Sequence, residues 1–263
     1  MSRIHPTAQI DRGALLADDV EVGPWCLVGP GVELKAGVRL ESNVVIVRDT
    51  VLGERTVVSP FAVLGGDPQH RGYQGEAVRL MVGADNIIRE HVTLHRGTPG
   101  GGGMTILGDG CMLMVGSHIA HDCQIGDGVI FANNATVGGH VAIGDGVFMG
   151  GVSAVHQFGR IGRFAMVGGG AVVTKDVIPF GSVWGNHARL GGLNMIGLKR
   201  RGFDKAQLRT MLKAFQALFA GAGETFAGRL SRVEAEYADS PEVMEMTGFI
   251  RAGGHRPICL LAD

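Results

Sequence analysis

An aliphatic residue returns at every sixth position through most of this chain. Counted from Ile4, the series runs Ile10, Leu16, Val22, Val28, Leu34, Leu40, Ile46, Leu52, Val58 and Leu64. It lapses from about Gln69 to Met81, resumes in step at Val82, Ile88 and Leu94, and lapses again from Thr98 to Ile106. From Leu107, now shifted by one, it continues through Leu113, Ile119, Ile125, Phe131, Val137, Ile143, Met149, Val155, Ile161, Val167 and Val173. An amphipathic helix repeats every three to four residues and a half-buried strand every two, so a step of six excludes both as the main element. A parallel β-helix fits, each hexad supplying one short side and one corner, with the aliphatic residues stacked inside. A β-sandwich with frequent glycines does not explain 26 hexads kept in register. Three hexads make an 18-residue triangular coil, and successive coils should stack at about 4.8 Å.

Composition closes off other classes. Glycine, 44 of 263 residues, far exceeds its usual share of about 7% and suits corners that need positive φ or close backbone approach. With 45% hydrophobic residues and a net charge of −1, neither disorder nor nucleic-acid binding through phosphate contacts is expected. Cys26, Cys111, Cys123 and Cys259 form no CxxC pair and read as reduced thiols of a cytoplasmic protein. No apolar signal region or 18-residue uncharged apolar run occurs, so neither secretion nor a membrane span is expected.

The hexad pattern fades after Pro179 into a glycine-rich bridge, Gly181 to Gly197. Beyond it, Phe203, Leu208, Leu212, Phe215, Leu218 and Phe219 fall at helical spacing, followed by Leu230, Val233, Tyr237, and then Val243, Met246, Phe249 and Ile250. Pro241 suits the start of the last helix, with Ser240 as its cap. The expected organisation is a β-helix over residues 1–198, with insertions near 69–81 and 98–106, and a small helical domain over 199–263.

The histidines point to chemistry. His118, His121, His140 and His156 crowd the second hexad run. With an 18-residue coil, residue i lies beside residue i+18. His121 then faces Gly139, with Gln157 one coil further, and Asp122 faces His140. A neutral imidazole with a pKa of about 6.5 can take a proton from a hydroxyl, with a carboxylate to orient it. The bare N–H of Gly139 could receive a developing oxyanion. No serine–histidine spacing suggests a covalent intermediate, so direct attack by a bound acceptor is the simpler chemistry. Surface histidines satisfied by turns, or a metal site, remain other readings of the same spacing. A zinc site shared between subunits would need a ligand pattern that the His118–His121 spacing does not match.

Several segments carry a more specific likeness. They are His118-Ile-Ala-His-Asp-Cys123, Phe131-Ala-Asn-Asn-Ala-Thr-Val-Gly-Gly-His140, Ile88-Arg-Glu with Leu94-His-Arg-Gly-Thr98, Ala154-Val-His-Gln-Phe158, Gly185-Asn-His-Ala188 and Gly197-Leu-Lys-Arg-Arg-Gly-Phe203. Over nearly its whole length the chain resembles the UDP-N-acetylglucosamine 3-O-acyltransferases of lipid A biosynthesis. The resemblance implies a left-handed β-helix and a homotrimer with active sites between subunits. It implies transfer of an (R)-3-hydroxyacyl group from acyl carrier protein to the 3-hydroxyl of UDP-N-acetylglucosamine. It gives His121 the role of general base, Asp122 that of its partner and Gly139 that of the oxyanion N–H. It makes Gln69, His118, His140, His156 and Gln157 substrate contacts, and gives Asn194, Arg200 and Arg201 to the nucleotide, where guanidinium forks suit a diphosphate. Gly169 becomes the residue that sets acyl-chain length, with a lean to long chains. No metal and no cofactor are implied beyond the phosphopantetheine arm of the donor. Arg160, Arg163, Lys199, Arg200 and Arg201 form a basic rim suited to an acidic carrier protein.

The chain departs from the family in two places. Where Gln-Asp-Leu-Lys-Tyr is usual it has Gln69-His70-Arg71-Gly72-Tyr73, and Ile196 stands where an acidic residue is common. A 3-amino acceptor sugar is therefore an alternative, and a non-catalytic hexapeptide scaffold is the reading from another class. The later N-acyltransferase of the pathway carries an extra domain ahead of its hexads, whereas these begin at Ile4.

Overall fold

A computed structural model of the chain describes residues 3–220 and 223–261; the outermost residues of both expected domains, 1–2 and 262–263, lie outside them. Strands of two to four residues follow one another at hexad spacing, and each pairs in parallel with the strand one full coil away. Three sheets result. Met112–Leu113 lies in sheet A, His118–Ile119 in sheet B, Gln124–Ile125 in sheet C, and Ile130–Phe131 returns to sheet A opposite Met112–Leu113. The inward aliphatics form three buried columns; in sheet A one runs Val22, Leu40, Val58, Ile88, Leu113, Phe131, Met149 and Val167. Each such side chain is worth about 1.5–3 kcal/mol of burial, so the period that marks the sequence is also the core.

The corners differ from expectation in one respect. Positive φ recurs at every sixth residue, three places after the inward aliphatic, but often not at glycine: Trp25, Asn43, Asp49, Arg55, Phe61, Asp122, Asn134, His140, Val152 and Phe158 all adopt it. Left-handed backbone costs such residues about 1–2 kcal/mol. The coil holds them there by bonds to the neighbouring turn, such as Asn43 N–H to Pro24 O at 2.9 Å and His140 N–H to His121 O at 3.0 Å. Glycine is demanded instead just after the inward residue, where turns nearly touch. A Cβ on Gly23 would lie 1.6 Å from Glu41 O.

Both interruptions open at the same corner, between sheets B and C. Val63 pairs with Thr93 and Met81 with Ile106, instead of with residues 18 further on. The loops span 67–78 and 96–103, narrower than the lapses in the pattern, because Arg79–Val82 and Met104–Leu107 are already paired strands. The first insertion amounts to two hexads, which is why the count resumes in step; the second does not.

The hexads give way to an antiparallel hairpin, Gly181–Trp184 with Arg189–Leu193, inside the glycine-rich bridge. Four helices follow: α1 (Met195–Arg200), α2 (Lys205–Phe219), α3 (Phe226–Glu236) and α4 (Pro241–Ala252). The first begins four residues before the expected boundary at 199, capped by Asn194. Asp204 and Gln207 form a capping box on α2. Ser240 stands at the N-cap of α4 with Pro241 behind it but makes no capping bond; its hydroxyl donates to Glu242 instead. The tail then returns to the β-helix, with Asp176 paired to Ile258 and Leu190 to Leu261.

Candidate active site

The corner between sheets B and C carries His121 and Asp122, then Gly139 and His140, then Gln157 and Phe158 on successive coils, beneath the two loops. Asp122 sits at φ 61, a conformation aspartate tolerates better than most residues, with its N–H donating to Thr105 Oγ1 at 2.7 Å. Its carboxylate is buried. Oδ1 accepts from Thr98 N–H at 2.7 Å, and Oδ2 from Thr98 Oγ1–H at 2.7 Å and from His121 Nδ1 at 2.7 Å. An ionised carboxylate only accepts, so Nδ1 of His121 carries the proton and Nε2 holds the free lone pair. That is the tautomer a general base needs. The glycines of the second loop make this approach possible, since a Cβ on Gly101 would lie 2.1 Å from Asp122 Cγ.

Gly139 is shaped to the same imidazole. A Cβ there would stand 2.6 Å from Cε1 and 2.8 Å from Nε2 of His121. Its φ is not positive, so the side chain, and not the backbone, excludes other residues. Nothing among the described residues accepts from its N–H. Proline occupies the same hexad position at 24, 30 and 60, as suits a site whose amide hydrogen has no partner. Gly139→Ala is expected to leave the melting temperature within a few degrees while lowering kcat at least tenfold, because the methyl group displaces the base; an unchanged kcat would refute this assignment.

Rings line the column. His70 from the first loop lies edge-on to His121 at 5.6 Å between centroids, His121 edge-on to His140 at 5.2 Å, and His140 stacks on Phe158 at 4.5 Å. His255 from the tail tilts against Phe158 at 5.2 Å. His70, His140, Phe158 and His255 border a cleft of about 610 Å³ that also includes Tyr73, Thr98 and Pro99. Burial pushes the His118 imidazole down to about 4, with His95 and His121 adding to the effect; Thr93 Oγ1 lies 2.7 Å from its Nδ1. Burial also lowers His140, more than nearby Asp122 raises it. Both are neutral hydrogen-bonding groups at neutral pH.

Arg96 holds the first loop in place from below. Wholly buried, it donates to Gly65 O at 3.0 Å and Val78 O at 3.3 Å, pairs with Asp67, and lies 3.5 Å from Asp49. The guanidinium is buried while the Asp67 carboxylate beside it is mostly exposed, so the backbone carbonyls of Gly65 and Val78 are what satisfy it inside the fold.

His121, Asp122 and His140 offer three possible ligand atoms within 4.8 Å of one another. A cation there would have to displace the bonds from Thr98 and His121 that Asp122 already accepts, so the donor set fits proton transfer better than coordination.

Of the residues singled out from the sequence, His121, Asp122, Gly139, His140, His156 and Gln157 belong to this corner, with His118 beside it on sheet B and Gln69 in the first loop. Asn194, Arg200 and Arg201 do not. Asn194 caps α1 and donates to Phe164 O at 3.0 Å. The Arg201 guanidinium donates to Gly146 O at 2.5 Å and lies over the Phe164 ring, at the corner between sheets C and A. Arg200 is exposed. Gly169 lies at the corner between sheets A and B, following Met166–Val167. Thr98, Thr105, Phe158, His255 and Arg256 have no assignment from the sequence, and His70, there only a departure from the family, faces His121. The threonines had a signal in their place beside the lapse in the repeat; the tail residues had none.

A parallel β-helix with a histidine–aspartate pair at a coil corner defines a hexapeptide-repeat acyltransferase. Residues 104–139 match the family model described as bacterial transferase hexapeptide (six repeats), and residues 176–259 match domain 2 of the UDP-N-acetylglucosamine O-acyltransferases. The acyl-[acyl-carrier-protein]–UDP-N-acetylglucosamine O-acyltransferase of Caulobacter vibrioides is 57% identical over 98% of this chain and 97% of its own. That of Azorhizobium caulinodans is 54% identical over 97% and 94%. The solved LpxA of Acinetobacter baumannii superposes with a TM-score of 0.91 at 38% identity, covering 97% of this chain and 99% of that one. The UDP-N-acetylglucosamine acyltransferase of Francisella novicida gives 0.95 at 30%, covering 99% and 95%. The chain belongs to the acyl-[acyl-carrier-protein]–UDP-N-acetylglucosamine O-acyltransferase family, and its fold is the parallel β-helix expected from the repeat, left-handed as the resemblance implies, with C-terminal helices.

Proposed function

We propose that this acyltransferase moves an (R)-3-hydroxyacyl chain from acyl carrier protein to the 3-hydroxyl of UDP-N-acetylglucosamine, the first step of lipid A biosynthesis. The observation that carries the reading is His121 held by Asp122 with Nε2 free, over the unpaired N–H of Gly139. Nε2 takes the hydroxyl proton as the sugar oxygen attacks the thioester carbonyl. The carbonyl oxygen becomes an oxyanion toward the Gly139 N–H. Collapse expels the phosphopantetheine sulfur, which takes the proton back from Nε2. No cofactor enters beyond that arm. Incubation with UDP-N-acetylglucosamine and 3-hydroxymyristoyl carrier protein, followed by mass spectrometry, should yield the 3-O-acylated nucleotide; the absence of acylated product would overturn the reading.

The working unit is a homotrimer in the cytoplasm. Arg200 and Arg201 lie at a different corner from His121, so a nucleotide reaching both needs a neighbouring subunit. Trp25, Phe61 and Val152, each more than half exposed, stand at the corner between sheets A and B, alternating with Asn43, His91, Gly116 and Asn134, an apolar and polar mixture that a neighbouring subunit would cover. Light scattering should give about three times 27.6 kDa. Among the described residues no helix is long and apolar enough to cross a membrane, and the four cysteines are free and buried.

The docking surface for the carrier protein shifts from the rim read in the sequence. Arg160 is paired with Asp176 at 2.6 Å and Arg163 with Glu245 at 2.6 Å, and Arg201 is held by Gly146. Lys199 and Arg200 stay exposed, and Lys205, Arg209 and Lys213 recur every four residues along the outer side of α2. An acidic partner fits this stripe. Rising salt is expected to raise KM for the carrier protein, screening acting over about 8 Å at physiological ionic strength. Lys205→Glu with Arg209→Glu should raise it several-fold in low salt and leave KM for the nucleotide sugar unchanged. A KM indifferent to salt would count against the stripe.

A further inference from the structure

The tail places a guanidinium on the histidine column. Gly253 and Gly254 end α4, and a Cβ on Gly254 would stand 2.6 Å from both Arg160 Nε and Asp176 Oδ2. The chain is then fixed to the β-helix by Asp176 N–H to Pro257 O at 2.9 Å, Cys259 N–H to Asp176 O at 2.7 Å and Leu190 N–H to Leu260 O at 2.9 Å. From this anchored strand Arg256 reaches back. Its Nε donates to Gln157 O at 2.8 Å, one terminal nitrogen lies 3.4 Å from Thr174 O, and the other is 2.6 Å from His156 Nδ1.

Nδ1 of His156 therefore has two neighbours, the Arg256 N–H at 2.6 Å and Gln157 O at 3.3 Å. The guanidinium always carries its protons and can only donate. Gln157 O already accepts from Arg256 Nε at the shorter distance of 2.8 Å. Nδ1 must then accept, which leaves the single ring proton on Nε2. His121 is fixed the other way, with its proton on Nδ1 and Nε2 bare. We propose that Arg256 is a positioning residue that locks His156 in the Nε2–H tautomer, so that the corner between sheets B and C presents a base at His121 and, two coils further along, a neutral hydrogen-bond donor at His156 for an oxygen of the bound acyl donor or sugar. The assignment of that oxygen to a substrate rests on the acyltransferase reading; the tautomer does not.

Two measurements on the full-length enzyme separate these statements. In protein labelled with ¹⁵N-histidine, with His156 assigned by comparison with His156→Gln, the His156 ring should show the Nε2–H pattern, lost in Arg256→Met and recovered at least in part in Arg256→Lys. In kinetics, Arg256→Met should lower kcat/KM about tenfold, the size of one lost charge-assisted hydrogen bond. In a His156→Ala background the same change should do almost nothing, because its route to the substrate is gone. An Nδ1–H pattern in the unmodified enzyme, or an equal loss in both backgrounds, overturns the proposal. If the tautomer holds while no acylated sugar forms, the functional reading has failed and the positioning role stands.

Discussion

His121→Ala is expected to cut turnover by roughly 10²–10⁴-fold, the usual worth of a general base, while the β-helix keeps its melting temperature. The imidazole stands at a corner outside the aliphatic columns, and among the described residues its only side-chain hydrogen-bond partner is Asp122. Its loss opens no cavity in the core, and Asp122 keeps both bonds from Thr98. The rate should therefore fall in kcat without a matching rise in either KM. Asp122→Asn is a finer probe. Asparagine tolerates the same left-handed backbone, but its amide nitrogen cannot accept from Nδ1–H, so the imidazole is free to turn over or change tautomer and a smaller loss should follow. A near-wild-type rate for His121→Ala would remove the proposed mechanism, whatever Asp122→Asn does.

The repeat made most of this architecture readable, and for a definite reason. In a β-helix the period that buries side chains also sets which residues are neighbours, so counting eighteen places from His121 reaches Gly139, where a Cβ would stand 2.6 Å from the imidazole. The same counting places Asp122 beside His140, and Oδ2 lies 3.6 Å from Nε2. Segments without the period had no such ruler. His70 reaches His121 from an insertion whose path depends on a buried Arg96, and Arg256 reaches His156 across a hundred residues of chain. Asn194 and Arg201 carry bonds of another kind: one also caps a helix and the other also donates to a backbone carbonyl, which no local pattern would reveal. Corner conformations were misjudged because neighbouring turns, through bonds such as His140 N–H to His121 O, impose positive φ on residues that would avoid it alone.

Gly169→Met is expected to shift donor preference toward chains several carbons shorter, by orders of magnitude in kcat/KM. Two explanations for glycine here make opposite predictions. If the corner needed it, any side chain would destabilise the coil; if it leaves room for an acyl tail, a side chain would fold well and obstruct the ligand. The backbone decides between them. Gly169 does not have positive φ, and a Cβ would meet only Gly151 O, at 3.5 Å, an ordinary contact. Its neighbours are the constrained ones: Gly170 has φ 67, and a Cβ on Gly150 would lie 2.5 Å from Gly169 N. Position 169 thus has space on its outer side that the fold does not use. It lies on a different corner from the His121 of its own subunit, so in a trimer the groove it lines would begin at a neighbour's base. A methionine there would take the place of about four methylenes, each worth about 0.8 kcal/mol when buried, which together amount to about two hundredfold in binding. The unmodified enzyme should accordingly prefer a 3-hydroxymyristoyl donor and Gly169→Met a 3-hydroxydecanoyl one, with the melting temperature unchanged. Preference for the decanoyl donor before mutation, or a variant that merely loses stability, would show that the end of the acyl groove lies elsewhere.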